Sequence, residues 1–270
     1  MQKLRRLIPD QCKHWYRFSV DSGYRTKHRE IARLKSLPRY QRTATRLTGH
    51  NVEMVDAASF LFMHGEIFEQ QIYCFRAATE EPYIIDGGAN IGLSVLYFKS
   101  LYPKGRILAF EPDEEVFSVL RRNVEESGYN DIEVVCRALW SSETTLSFMQ
   151  EGADGGRIAQ GSDPAGKAIR TVRLRDYLQR RVDFLKLDIE GAETEVLADC
   201  ADLLRNVENL FVEYHSFVTK PQTLHTLMEI LANAGFRVHI HPPITSPQPF
   251  LHRFVHLDMD MQLNIFAFRS

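Results

Sequence analysis

The sequence predicts an α/β fold of Rossmann-like type, with a mostly parallel sheet and helices on its faces. Three observations predict it. A short apolar run, Tyr83-Ile84-Ile85, ends in Asp86 and the turn Gly87-Gly88-Ala89-Asn90-Ile91-Gly92, after which Leu93, Leu96, Tyr97 and Leu101 recur at helical spacing. A second buried run, Arg106–Phe110, ends in Glu111-Pro112-Asp113. Later runs end in Asp188 and Glu213. Strands that alternate with helical stretches call for parallel pairing, and acids at their carboxyl ends mark the edge where such sheets bind ligands.

The chain has 270 residues and a formal net charge of −2, enough for one large domain with an appendage and not the balance of a nucleic-acid binder. Its four cysteines, Cys12, Cys74, Cys136 and Cys200, form no C-x-x-C pair. They read as reduced thiols of a cytoplasmic protein, not a disulfide framework or zinc site. No apolar run reaches the about 18 residues of a membrane span, and the start shows no signal-peptide core.

Residues 1–46 carry 13 Lys and Arg against three acids. Residues 1–50 are predicted to be a basic helical extension, interrupted at Pro9 and Pro38, with the domain proper over 51–270. A solvated extension packed on the domain is the preferred reading. A surface for anionic lipid, at the inner face of a membrane, or for a phosphate-bearing carrier stays open.

Next come a short strand at Asn51–Val55 and a helix from about Gly65 to Ala77, with Ile67, Phe68, Ile72 and Phe75 facing the core. A helix so placed commonly covers a cofactor, which makes Tyr73 a candidate contact. The glycine turn lacks G-x-G-x-x-G and so speaks against a dinucleotide. Glu111 lies 19 positions after Gly92, where this architecture sets an acid against ribose hydroxyls, and two carboxylate oxygens match two adjacent hydroxyls. Pro112-Asp113 opens a helix over 113–127 that Gly128 closes. A third strand, 132–136, leads to Arg137-Ala138-Leu139-Trp140, and in this architecture the loop after the third strand borders an adenine. Thr144–Met149 alternates as an added antiparallel strand, 151–167 reads as a glycine-rich mobile loop, and 170–172 regains strand character before a short helix at 174–178.

The stretch Asp183-Phe184-Leu185-Lys186-Leu187-Asp188-Ile189-Glu190-Gly191-Ala192-Glu193 reads as a strand ending at Asp188 and a helix from about Glu190. Alternation puts Lys186, Asp188 and Glu190 on one side, and Glu190 and Glu193 suit a helix start. Asn209–His215 repeats the pattern with Glu213 and His215 on one face. A helix over 221–234, a strand at 236–240, a proline-rich connection and a last strand at 263–268 complete the chain.

The segments IIDGGANIG, AFEPDEEVF, VDFLKLDIEGAE and ENLFVEYH resemble the FkbM-type methyltransferases, a branch of the class I S-adenosylmethionine-dependent superfamily, over about residues 55–235. The resemblance implies a seven-stranded sheet in order 3-2-1-4-5-7-6 with strand 7 antiparallel. It also implies that Asp86, Gly88, Asn90 and Gly92 line the methionine and ribose end of S-adenosylmethionine. Glu111 would then hold the ribose, Ala138 and Leu139 would flank the adenine, and Asp188 would face the reacting centre. O-methylation of a saccharide or natural-product hydroxyl follows as the expected reaction. His215 is the candidate base because its ordinary pKa lies nearest neutrality, with Glu213 to orient it. A rival arrangement uses Asp188, Glu190 and Glu213 as Mg²⁺ ligands. An NAD(P)-linked oxidoreductase and a scaffold with a degenerate methyltransferase fold are the alternatives. The partner is a small hydroxyl compound and not nucleic acid; self-association stays open.

Overall fold

The computed structural model describes residues 21–149, 156–158, 166–243 and 246–269. Residues 1–20 of the predicted basic extension and most of the predicted loop 151–167 lie outside them. Helix α1 (Ser22–Lys35) is capped by Asp21, whose side chain accepts from the Tyr24 N–H, and packs Leu34 into the core. Strands β1 (Thr43–Thr45) and β2 (Val52–Met54) pair antiparallel, so the boundary placed after residue 50 falls in the turn of a hairpin.

Helix α2 (Ala57–His64) starts where Asp56 accepts from the Ser59 N–H and continues into a π-helical turn, Gly65–Glu69. The helix predicted over 65–77 is therefore displaced: it begins eight residues earlier and ends at Glu69. Gln71 takes a left-handed φ of 58°, which turns the chain and leaves Ile72, Tyr73 and Phe75 on a loop. These side chains still enter the core, with Tyr73 ringed by Phe98, Phe184 and Phe211.

The central unit runs β3 (Tyr83–Gly87), α3 (Leu93–Leu101), β4 (Arg106–Phe110), α4 (Glu114–Ser127) and β5 (Ile132–Val135). Asp113 caps α4 by accepting from the N–H groups of Glu115 and Val116, and Gly128 ends it at φ 71°. Strands β6 (Ala138–Trp140), β7 (Thr145–Met149), β8 (Arg157–Ile158) and β9 (Lys167–Arg173) form a separate four-stranded sheet in which β7 pairs antiparallel with both β8 and β9. A 3₁₀ turn, Leu174–Tyr177, leads to β10 (Val182–Leu187), followed by α5 (Glu193–Asp199), β11 (Val207–Phe217), α6 (Leu224–Asn233), β12 (Arg237–His241) and β13 (Met259–Phe268).

The main sheet runs β12-β13-β11-β10-β3-β4-β5, the order 3-2-1-4-5-7-6 read from the opposite edge, with β13 antiparallel to both neighbours. Its central strands are buried on both faces, which is why their sequences read as continuous apolar runs. Alternate residues divide between two cores. Ile85, Leu108, Leu185 and Leu187 face α5 and α6, while Ile84, Ile107, Ala109 and Phe184 face α3 and α4. Register sets Lys186 beside Asp86. Strand β11 runs on past β10, so Glu213 and His215 project at the carboxyl edge with β13 as their neighbour.

One further departure bears on the site. The chain does not enter a helix at Glu190: α5 starts at Glu193, and residues 188–192 form a turn with Glu190 at φ 55° and Gly191 at φ 91°. A left-handed glutamate is uncommon and costs of order 1 kcal/mol or more. Glu190 and Glu193 therefore leave the backbone in different directions, not as successive members of one helical face.

Candidate functional site

A cavity of about 480 Å³ opens at the carboxyl edge of β3, β4, β10 and β11. The glycine turn forms its floor. Gly88 sits at φ 79°, and a Cβ there would lie 1.8 Å from the Asp188 carbonyl oxygen. Only glycine lets the β3 turn approach the end of β10 so closely. Gly92, at φ 91°, precedes the first residue of α3.

Glu111 stands at the end of β4, 7% exposed. Its Oε2 accepts from the Asn90 N–H and its Oε1 from the Asp113 N–H, both at 2.9 Å. Those bonds fix the carboxylate against the glycine turn and leave each oxygen a further lone pair for the cavity. Burial pushes the Glu111 carboxyl up to about 7, against the opposing pull of the two backbone N–H groups.

Asp86 is placed differently from expectation. It is wholly buried and does not line the cavity. Ser94 Oγ donates to its Oδ2 at 2.5 Å, and the Lys186 ammonium lies 3.3 Å from its Oδ1. Lys186 also donates to the Gly88 carbonyl at 2.7 Å and lies 3.3 Å from Asp188 Oδ2. Burial alone would lower this lysine, but Asp86, Asp188 and Glu213 outweigh it and hold the ammonium charged. The lysine, itself part of the cavity lining, therefore ties the ends of β3 and β10 together and separates Asp86 from the cavity. Gly92 also stays out of the lining, whereas Gly88, Asn90, Glu111, Ala138, Leu139 and Tyr73 belong to it.

At the other end, Asp188, Glu190, Glu213 and His215 come together. His215 is 5% exposed. Its Nδ1 is 3.0 Å from Glu193 Oε1, and its Nε2 is 3.5 Å from Glu190 Oε2 and 4.0 Å from Glu213 Oε1. Burial would lower the imidazole, yet Glu190, Glu193 and Glu213 together raise it well above its ordinary value. Glu213 accepts from the Gln262 side chain and is itself raised, first by burial and then by the charge of Asp188. The positive imidazole opposes the rise of Glu213, while the three carboxylates around His215 favour its charged form.

Asp188, Glu213 and His215 each present a ligand atom, all within 4.8 Å of one another. His215 thus takes the place that spacing had given to Glu190, whose turn directs it at the imidazole instead.

Sequence reasoning missed two further residues. Glu193 accepts from the N–H groups of Ile189 and Gly191 and orients His215. Glu66 reaches the cavity from the π-helical turn, and burial, then Asp188, raises it to about 7. Such turns often mark functional positions, but no spacing in the sequence announces one.

Among the described charged side chains that line the cavity, seven are Asp or Glu and three are Lys or Arg. That balance suits a cationic ligand and opposes the pyrophosphate of a dinucleotide. No helix among the described residues is long and apolar enough to cross a membrane.

The model of the Methyltransferase FkbM domain matches residues 86–238. Methyltransferase 1 of Beauveria bassiana is 28% identical over 213 residues, covering 69% of this chain and 84% of that protein. Methyltransferase sdnD of Sordaria araneosa is 31% identical over 205 residues, covering 61% and 78%. The 31-O-demethyl-FK506 methyltransferase FkbM of Streptomyces tacrolimicus is 29% identical over 228 residues, covering 70% and 86%.

Proposed function

The chain belongs to the FkbM methyltransferase family, and from that premise we propose that it transfers a methyl group from S-adenosylmethionine to a hydroxyl oxygen of a small acceptor, a saccharide or natural product. The observation that carries this reading is one cavity holding both a carboxylate suited to a ribose, Glu111, and an acid-flanked histidine, His215. The Streptomyces relative acts on 31-O-demethyl-FK506, which supports oxygen as the receiving atom.

The residues fit the donor. Its sulfonium is a cation, and the cavity carries an excess of carboxylates. When bound, S-adenosylmethionine supplies a methyl carbon already activated for displacement, which leaves the protein to align the reactants and take up a proton. Glu111 is the ribose ligand, Ala138 and Leu139 give the adenine an apolar flank, and Tyr73 walls the cavity against the aromatic core. Asn90, Gly88 and Asp188 border the methionine end. Asp86 and Gly92 act from beneath, by shaping the turn.

The Glu213–His215 pair takes the proton of the acceptor hydroxyl. Atoms 4.0 Å apart can both hydrogen-bond one oxygen placed between them. A carboxylate raised by burial is a stronger base than a free one, and the neighbouring imidazole balances its charge. The test is methyl transfer from labelled donor to a panel of hydroxyl compounds by the wild type, His215→Ala, Glu213→Gln and Asp188→Asn. Transfer that collapses in all three, with donor binding kept in the His215 and Glu213 variants and weakened in Asp188→Asn, supports the roles given. Undiminished transfer in all three contradicts them.

The convergence of Asp188, Glu213 and His215 favours a second reading, in which they hold a divalent cation such as Mg²⁺. Glu193 on the far imidazole nitrogen matches the outer-shell carboxylate of a metal-bound histidine. A cation there would supply charge that acidifies an acceptor hydroxyl. Transfer abolished by chelation and restored by added Mg²⁺ supports this reading; full activity in excess chelator removes it.

A further inference from the structure

The cavity has two characters. Its inner end is charged, with Asp188, Glu190, Glu213 and His215 around the place of reaction. Other lining residues are apolar: Phe62 comes from α2, Ile158 from β8, Phe217 from the end of β11, Leu257 from the approach to β13 and Met259 from its first position, with Arg157, His256 and Asp258 interspersed. The Arg157 guanidinium lies 5.0 Å from the Phe217 ring centre, so the β7–β8 hairpin meets β11 across the cavity.

The apolar wall continues into solvent. Phe62 and Leu257 line the cavity yet are 56% and 52% exposed. Phe254 stacks on His256, a lining residue, with ring centres 6.1 Å apart. Phe250, Leu251 and Val255 on the same segment are exposed as well. Leu257 and Asp258 take left-handed φ values of 49° and 62°, a strained turn at the cavity edge. Grouped exposed apolar side chains mark a binding surface, whereas scattered ones do not.

We propose that the acceptor is amphipathic: its hydroxyl end reaches Glu213 and His215, and its apolar body lies against Phe62, Phe217, Leu257 and Met259 and extends along residues 250–255. This rests on the methyl-transfer reading above. The occupant is the acceptor itself because the apolar strip begins inside the concavity that holds the reacting groups, where neither a bilayer nor a folded partner can follow.

The experiment uses the full chain and two probes with the same sugar, methyl β-glucoside and octyl β-glucoside, the latter below its micelle concentration. Each is titrated by calorimetry into protein saturated with S-adenosylhomocysteine. The octyl compound is expected to bind at least about tenfold tighter, from burial of its chain. Phe62→Ser and Leu257→Asn should erase that advantage; both sites are exposed, and asparagine accepts the left-handed backbone. Equal affinity for the two probes, or an octyl advantage that survives both substitutions, overturns the proposal. So does concentration-dependent self-association, or flotation with phosphatidylcholine vesicles, that Phe250→Ser abolishes, for the strip would then serve that contact. Failure of S-adenosylhomocysteine to bind defeats the methyl-transfer reading itself; its binding without an alkyl preference defeats only this inference.

Discussion

Nδ1 of His215 lies 3.0 Å from Oε1 of Glu193, a bond that joins the tip of β11 to the first residue of α5. The same oxygen accepts from the Gly191 N–H at 3.0 Å and the Ile189 N–H at 3.3 Å. Glu193 is thereby fixed before it touches the imidazole, and it directs Nε2 at Glu190 and Glu213. Glu193→Gln keeps the shape and removes the charge. Hydrogen bonds to charged groups are worth about 1.5–3 kcal/mol, so kcat should fall roughly 10- to 100-fold with little change in donor affinity. A steady-state split of kcat and KM, with calorimetry of S-adenosylhomocysteine, checks this. An unchanged kcat would remove Glu193 from the site.

Glu111 gives a pH dependence whose sign can be stated. Its carboxyl titrates at about 7 in the folded protein against an ordinary value of 4.5, so between these values it stays protonated when folded and is ionised when unfolded. Its contribution to stability therefore falls as pH rises from 4.5 toward 7. Donor binding runs the other way, because ionised Glu111 accepts from ribose hydroxyls better than the acid does. S-adenosylhomocysteine should bind more tightly as pH rises through 7 and level off above it, and Glu111→Gln should flatten the profile. Calorimetry from pH 5.5 to 8.5 decides; a profile identical in the variant would acquit Glu111.

Gly88→Ala should be among the most damaging single changes. The added Cβ would meet the Asp188 carbonyl at 1.8 Å, and the backbone cannot yield without moving β10 from β3. Left-handed strain alone costs about 1–2 kcal/mol, and the clash adds to it. Urea denaturation should show the midpoint falling, with donor binding lost even where the fold survives. Wild-type stability and affinity in this variant would mean that the turn is not packed as described.

Lys186→Met should destabilise the chain by about 3–5 kcal/mol, since it leaves Asp86 buried without its counter-charge. The double variant Lys186→Met/Asp86→Asn should recover part of that loss. Chemical denaturation of the wild type, Lys186→Met, Asp86→Asn and the double variant forms the test, and additive losses would show that the two groups do not interact.

Much of this arrangement was readable from sequence because local rules agreed. The Pro112-Asp113 opening and the Gly128 stop bound α4 to within one residue, and apolar runs ending in acids mark β3, β4 and β10. What escaped depended on contacts distant in the chain. Asp86 has the position of a cofactor ligand, but Ser94 and Lys186, which do line the cavity, stand between it and the open space. Glu193 looked like an acid at a helix start, and only the extension of β11 past β10 brings His215 to it. Glu66 was hidden because regular 3.6-residue spacing does not foresee a π-helical turn. Glu190 was assigned to a helix that its left-handed backbone delays by three residues.

The central claim is that a nucleoside donor lies between the glycine turn and Glu111 with its sulfur toward Glu213 and His215. A crystal structure of the full chain with S-adenosylhomocysteine tests it most directly. The account predicts both ribose hydroxyls within hydrogen-bond distance of the Glu111 carboxylate and the sulfur facing the His215 end of the cavity. A nucleoside seated elsewhere, or turned so that its adenine meets His215, would contradict it.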